Sequence, residues 1–94
     1  MVENNSSHER DFHFRALLIR LQDNLSDDDR HRLHFLLGDI IPRGLRDDPT
    51  IAGTLNLLES LFDRDTINDQ DFFFLIEAFQ QIERHDIAQR LIGW

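Results

Sequence analysis

The chain has 94 residues, 18 of them acidic and 10 basic, for a formal charge of −8, and it contains no cysteine. That length makes one domain, able to bury about 60–65% of its unfolded surface around a single core, and it excludes a multi-domain reading. Without cysteine there is no disulfide scaffold, no zinc–thiolate site and no cysteine nucleophile, and the balance tips mildly toward the cytosol.

No apolar run approaches the ~18 residues that would span a bilayer, and Met1 to Arg10 lacks the basic-then-apolar form of a signal peptide. A soluble, cytoplasmic protein is expected. The acidic excess disfavours a nucleic-acid backbone or an anionic membrane as partner, since both require clustered positive charge. Protein remains as the expected partner. All ten basic residues are Arg. A guanidinium fork suits bidentate carboxylate pairing, within the fold or between molecules, although codon bias would produce the same pattern.

Residues 1–10 are polar and lack an apolar period, which predicts a disordered lead-in before a domain over 11–94. From Asp11 the pattern changes: Phe14, Leu17, Leu18 and Leu21 recur at i, i+3, i+4, i+7, the stripe of an amphipathic helix ending near Asn24. Ser26 followed by Asp29 resembles a capping box, Asp27 to Asp29 fill a first turn, and Leu33, Leu36, Leu37 and Ile40 continue as the buried face of a second helix. Pro42 and Gly44 break the period, leaving Arg43 to Asp47 as a loop or a very short third helix. Asp48-Pro49 reads as an N-cap and first helical position, opening a fourth helix that buries Ile51, Leu55, Leu58 and Phe62 and ends near Arg64. Asn68 is expected to cap a fifth helix with Phe72, Leu75, Ile76, Phe79 and Ile82 on one face. Nothing punctuates the stretch from Ile82 to Asp86, so periodicity alone allows one helix to Ile92, with Ile87, Leu91 and Ile92 as a last apolar edge. The expected fold class is an all-α bundle of five or six short helices.

Chemistry-bearing constellations are few. His31 and His34 stand i, i+3 on one helix, but a catalytic metal site needs at least three ligands, and the pair reads as two solvated histidines on a polar face. Asp27-Asp28-Asp29 is accounted for by the helix macrodipole. A calcium loop beginning at Asp63 has its first and third ligands, but places Ile67 fifth, Asn68 where glycine makes the turn, and Phe74 where a glutamate must chelate. No catalytic residue, cofactor or metal is expected, and an acidic calcium-binding helical protein remains the alternative from another class.

Phe35 falls off the stripe of the second helix, about 100° from Leu36 on a 3.6-residue turn, so it is either a peripheral core residue or an exposed anchor. Phe73 and Phe74 cannot both lie on the stripe of Phe72, Leu75 and Phe79, so one of them either widens the core or belongs to a second apolar surface.

Taken in order, Ser26-Asp27-Asp28-Asp29, the Phe35-Leu36-Leu37 run and Arg84-His85-Asp86-Ile87 resemble the death effector domain, a six-helix module of the death-fold superfamily, over roughly Asp11 to Gly93. The resemblance implies six antiparallel helices in Greek-key order, with a bend at Glu83 to Asp86. It also implies a charge triad in which Arg84 bridges Asp29 and Asp86, and an exposed Phe35-Leu36 pair that docks into a neighbouring domain. The implied activity is non-enzymatic: homotypic recruitment of other death effector domain proteins (adaptor, initiator caspase or regulator) in apoptotic or inflammatory signalling, with self-association into filaments. Asp39-Ile40-Ile41-Pro42 after the Phe-Leu pair is slightly closer to the prodomains of initiator caspases and their pseudo-caspase regulators than to the Fas-associated adaptor. Ile87 replaces the family's Leu, and Arg30 stands where relatives often carry an apolar residue. Caspase-recruitment, pyrin and death domains share the architecture but usually lack the Arg-x-Asp pair.

Overall fold

The structure, a computed structural model, describes residues 2–94, with side chains from Glu9 onward. Among these residues there are six helices: α1 Val2–Asp23, α2 Asp27–Leu36, α3 Arg43–Arg46, α4 Ile51–Asp63, α5 Phe73–Gln81 and α6 His85–Ile92. No strand forms among them beyond one isolated bridge between Asn68 and Asp71. The all-α class with six helices is therefore as expected. The polar lead-in falls mostly on residues whose side chains lie outside the described set, and the assigned α1 begins at Val2, ahead of Asp11.

α1 packs on α4, α2 on α3, α4 and α5, α3 on α4, and α5 on α6. Phe14, Leu17, Leu18 and Leu21 of α1 are all buried, the face given by their spacing. Phe14 is fully enclosed, with ring centroids 5.8 Å from Phe62, 5.0 Å from Phe72 and 5.1 Å from Trp94, so one aromatic cluster ties α1 to α4, to the approach to α5 and to the C-terminus.

α2 is rotated relative to its leucine stripe. Its inner face carries Asp29, Arg30, Leu33 and His34, followed by Leu37, whereas Leu36 is 40% exposed and Ile40 only partly buried. The polar members of that face are satisfied. Arg30 donates from Nε to Gln22 Oε1 at 3.1 Å and from Nη2 to the Gln22 carbonyl, sealing the α1–α2 junction rather than disturbing it. His34 is 1% exposed and engages both ring nitrogens, which corrects the expectation of two solvated histidines; only His31 is exposed.

α3 is the short helix allowed by the sequence. α4 is capped by Thr50 rather than Asp48: Thr50 Oγ1 accepts from the Gly53 amide at 3.0 Å and donates to Asp48 Oδ1 at 2.9 Å. Its buried face is Thr54, Leu57, Leu58 and Leu61, while Ile51 is exposed and Leu55 and Phe62 lie at the margin, one register away from the expected stripe. Gly53 fixes that register. A Cβ there would meet the Asp48 carbonyl oxygen at 1.8 Å, so the first turn of α4 lies directly against the preceding backbone.

Asn68 caps a turn, not a helix. Its Oδ1 accepts from the Gln70 and Asp71 amides at 2.8 and 2.9 Å, and α5 starts only after Phe72, which makes no side-chain cap. Leu75, Ala78 and Phe79 are buried on α5 and Phe73 points out at 62% exposure.

The bend between α5 and α6 is present. The Arg84 amide donates to the Phe79 carbonyl and the Glu83 amide to that of Gln80, a Schellman motif with Glu83 in the left-handed region at φ 64°. The same motif ends α4, where the Thr66 and Asp65 amides bond the carbonyls of Leu61 and Phe62 and Asp65 has φ 59°. Neither stop is marked by glycine.

Candidate protein-interaction surface

Two features built on α2 and the start of α6 carry the site. The first is ionic. Ser26 caps α2: its hydroxyl accepts from the Asp29 amide at 3.1 Å, and Asp29 Oδ2 accepts from the Ser26 amide at 3.0 Å, a complete capping box. The same Oδ2 accepts from Arg84 Nη1 at 2.5 Å. Capping and triad are thus two uses of one carboxylate, which the box orients toward α6.

Arg84 stands at the N-cap of α6, outside its helical turns, so its fork can turn back on Asp86 two residues on. Nε bonds Oδ1 at 3.0 Å and Nη2 bonds Oδ2 at 2.9 Å, a bidentate pair. Nη1 also donates to the Asn24 carbonyl at 3.1 Å, at the end of α1. One guanidinium therefore joins the end of α1 and the starts of α2 and α6. The Asn24 contact was not legible in the sequence, because a backbone oxygen leaves no trace in residue type.

The electrostatics follow from this geometry. Burial pushes the Asp29 carboxyl up, but the Ser26 amide and hydroxyl and the Arg84 guanidinium together outweigh it and hold the group below the usual carboxylate range. Asp86, chiefly through its Arg84 hydrogen bond, is held down to about 2. Arg84 in turn is raised, first by Asp86 and further by Asp29, against its own partial burial. The side chains of Asp29 and Arg84 are 11% and 22% exposed, whereas that of Asp86 is 66% exposed and faces solvent.

The second feature is apolar. Phe35 is 86% exposed, and Leu36 beside it lines a shallow groove with His31, Arg32, Gln81 and Ile82, at the edge where α2 meets the end of α5. A second groove runs on from Leu36 past Leu37, Ile40, Phe74 and Ala78. The peripheral-core alternative for Phe35 is thereby removed. All five sequence-predicted site residues lie on α2 or at the start of α6: Asp29, Arg84 and Asp86 meet directly, and Phe35 and Leu36 form a separate apolar edge at the other end of α2. The polar inner face of α2 was missed, although Arg30, Leu33, His34 and Leu37 themselves run at i, i+3, i+4, i+7; the stripe is visible only if polar residues are admitted to it.

Among the described residues no three His, Cys, Asp or Glu side chains gather as a metal would need, and no helix is long and apolar enough to cross a membrane. Fold and site together define a death-fold bundle with an ionic clasp and an exposed aromatic edge. The family model for the death effector domain matches residues 14–94, and the chain belongs to that family of protein-interaction domains. Neither the curated proteins nor the solved structures returned a match.

Proposed function

We propose that this domain recruits other death effector domains, in adaptors, initiator caspases or their regulators, and self-associates into filaments in cytoplasmic apoptotic or inflammatory signalling. The observation that carries this reading is the 86% exposure of Phe35 on a helix whose inner face is already complete without it. A large aromatic held in water by a rigid helix contributes little to the fold, and such residues are favoured as interface anchors. Filament growth requires a second, different surface, because a heterologous contact that does not close on itself propagates. The α1–α4 face offers one: its groove, lined by Leu18, Ile19, Leu55, Leu58 and Phe62, shares no residue with the groove at Phe35, and Ile19 is 48% exposed. The Asp29–Arg84–Asp86 clasp orients the α6 start and presents charge beside it, so its contribution is to register more than to affinity.

Phe35→Asp tests the reading. The monomer should keep its stability to within about 1 kcal/mol, since an exposed ring is lost and only helix propensity and the charge near a helix C-terminus change. Sedimentation and electron microscopy should show that assembly is lost, and Arg84→Ala should weaken homotypic binding with the helical fold retained. A folded Phe35→Asp protein that assembles like wild type would sink the proposal.

A further inference from the structure

The clasp and the aromatic edge leave one buried titratable side chain without a role. His34 lies immediately before Phe35 and is 1% exposed. Its Nδ1 is 2.7 Å from the Leu45 carbonyl oxygen and its Nε2 is 3.1 Å from Thr54 Oγ1. A carbonyl can only accept, so Nδ1 carries the proton, and the Thr54 hydroxyl donates to Nε2 of a neutral ring. The imidazole thereby joins α2, α3 and α4 through two hydrogen bonds.

α3 packs on α2 and α4 but brings little of its own to the core. It is four residues long, has no buried residue and starts at Pro42, which supplies no side-chain cap. Its partly buried Leu45 is the residue whose carbonyl His34 holds. The next side chain, Arg46, crosses the exit of α2: a Cβ built on Gly38 would come within 2.9 Å of Arg46 Cδ, and the Gly38 amide donates to the Phe35 carbonyl at 3.2 Å. A continuous line of contacts therefore runs from the imidazole through Leu45 and Arg46 to the backbone that presents Phe35 and Leu36.

We propose that His34 is a proton-operated latch: neutral, it pins α3 and with it the end of α2 that carries Phe35 and Leu36; protonated, it releases them. This rests on the interaction reading only for its consequence, not for its mechanism. A second proton on Nε2 would reverse the hydrogen bond with Thr54, whose hydroxyl would then have to accept, and would place an imidazolium at a site 1% exposed where no carboxylate among the described residues contacts it. The charges that act on the ring are Asp48, from the segment between α3 and α4, which favours protonation, and His31 on α2, which opposes it. α4 presents Thr54, which does not titrate, and Glu77 on α5 lies along the groove beside Leu36 and Leu37. Burial outweighs the Leu45 carbonyl and Asp48, both of which favour the charged ring, and pushes the imidazole below its ordinary value. An open state in which the ring reaches water titrates near 6.5, so opening becomes easier as pH falls below that value.

The experiment is amide hydrogen exchange, followed by NMR on the monomeric Phe35→Asp protein and corrected for intrinsic exchange rates, with His34→Gln in the same background. From pH 7.5 to 5.5 the protection of the Asp47 and Asp48 amides, which close the end of α3, should fall by up to about tenfold, the ceiling set by a pKa near 6.5 in the open state when the closed-state ring stays neutral. Protection of Ala88 in α6 should stay constant, and the methyl resonances of Leu36 should shift in step. His34→Gln, which can bond but not titrate in this range, should abolish the pH dependence; if that variant does not fold, the ¹⁵N titration of the His34 ring in the parent protein must track the loss of protection. A fall shared equally by Ala88, no fall at all, or the same fall in a folded His34→Gln protein would each overturn the latch. Because every readout is taken on a monomer, failure of the wild-type chain to assemble would count against the interaction reading alone and leave the latch standing.

Discussion

Replacing Arg84 with Ala removes four hydrogen bonds at once, and the structure says which of them matter to stability. The two to Asp86 end on a carboxylate that is 66% exposed and will simply hydrate. The other two end on Asp29 Oδ2, whose side chain is 11% exposed, and on the Asn24 carbonyl at the end of α1. Asp29 keeps the Ser26 amide and hydroxyl contacts but loses its one cation among the described residues. Hydrogen bonds to a charged group contribute about 1.5–3 kcal/mol when buried, and an exposed pair about 0–1, so this partly buried clasp should cost about 1–3 kcal/mol to break. In a domain of this size that lowers the melting temperature by roughly 5–20 °C.

The pH dependence of the loss separates the clasp from a packing effect. Both carboxyls are depressed in the folded state, Asp86 to about 2, from an unfolded value near 3.9. A depressed acid stabilises the fold above its unfolded pKa, and that stabilisation disappears as pH falls through the folded pKa. The gap between wild type and Arg84→Ala, measured by urea denaturation, should therefore be full at pH 7 and pH 5 and should close between about pH 4 and 2. A gap that is the same at pH 2.5 as at pH 7, or no gap at pH 7, would refute the reasoning. Asp29→Asn should reproduce most of the loss, and the double mutant should cost much less than the sum of the two single changes.

Two further outcomes follow from the backbone. Gly53→Ala places a methyl 1.8 Å from the Asp48 carbonyl oxygen and must shift the start of α4, so unfolding free energy should drop by about 1–3 kcal/mol or more; a loss of only a few tenths, measured by denaturation, would contradict the close approach. Glu83→Gly relieves a left-handed residue at the α5–α6 stop and should stabilise the domain by about 0.5–1 kcal/mol, whereas the same change at an exposed position inside α4 should destabilise it.

The amino-acid sequence by itself determined the helical class, the buried face of α1 and the capping box that starts α2, because each is written in the spacing of apolar residues or in one short local motif. Residue spacing also put Phe35 off the stripe of its helix. Tertiary structure decided the rest. On α4 the alternatives Ile51–Leu55–Leu58–Phe62 and Thr54–Leu57–Leu58–Leu61 are both periodic, and the close contact of Gly53 with Asp48 together with the bond from Thr54 to His34 selected the second. The inner face of α2 includes Arg30 and His34 because Gln22, Leu45 and Thr54, on other elements, satisfy them. Hydrophobic period reports which residues leave water readily. It does not report which polar side chains will find partners once distant segments meet, and those partners set the burial of Asp29, Arg30 and His34 and the geometry around Arg84.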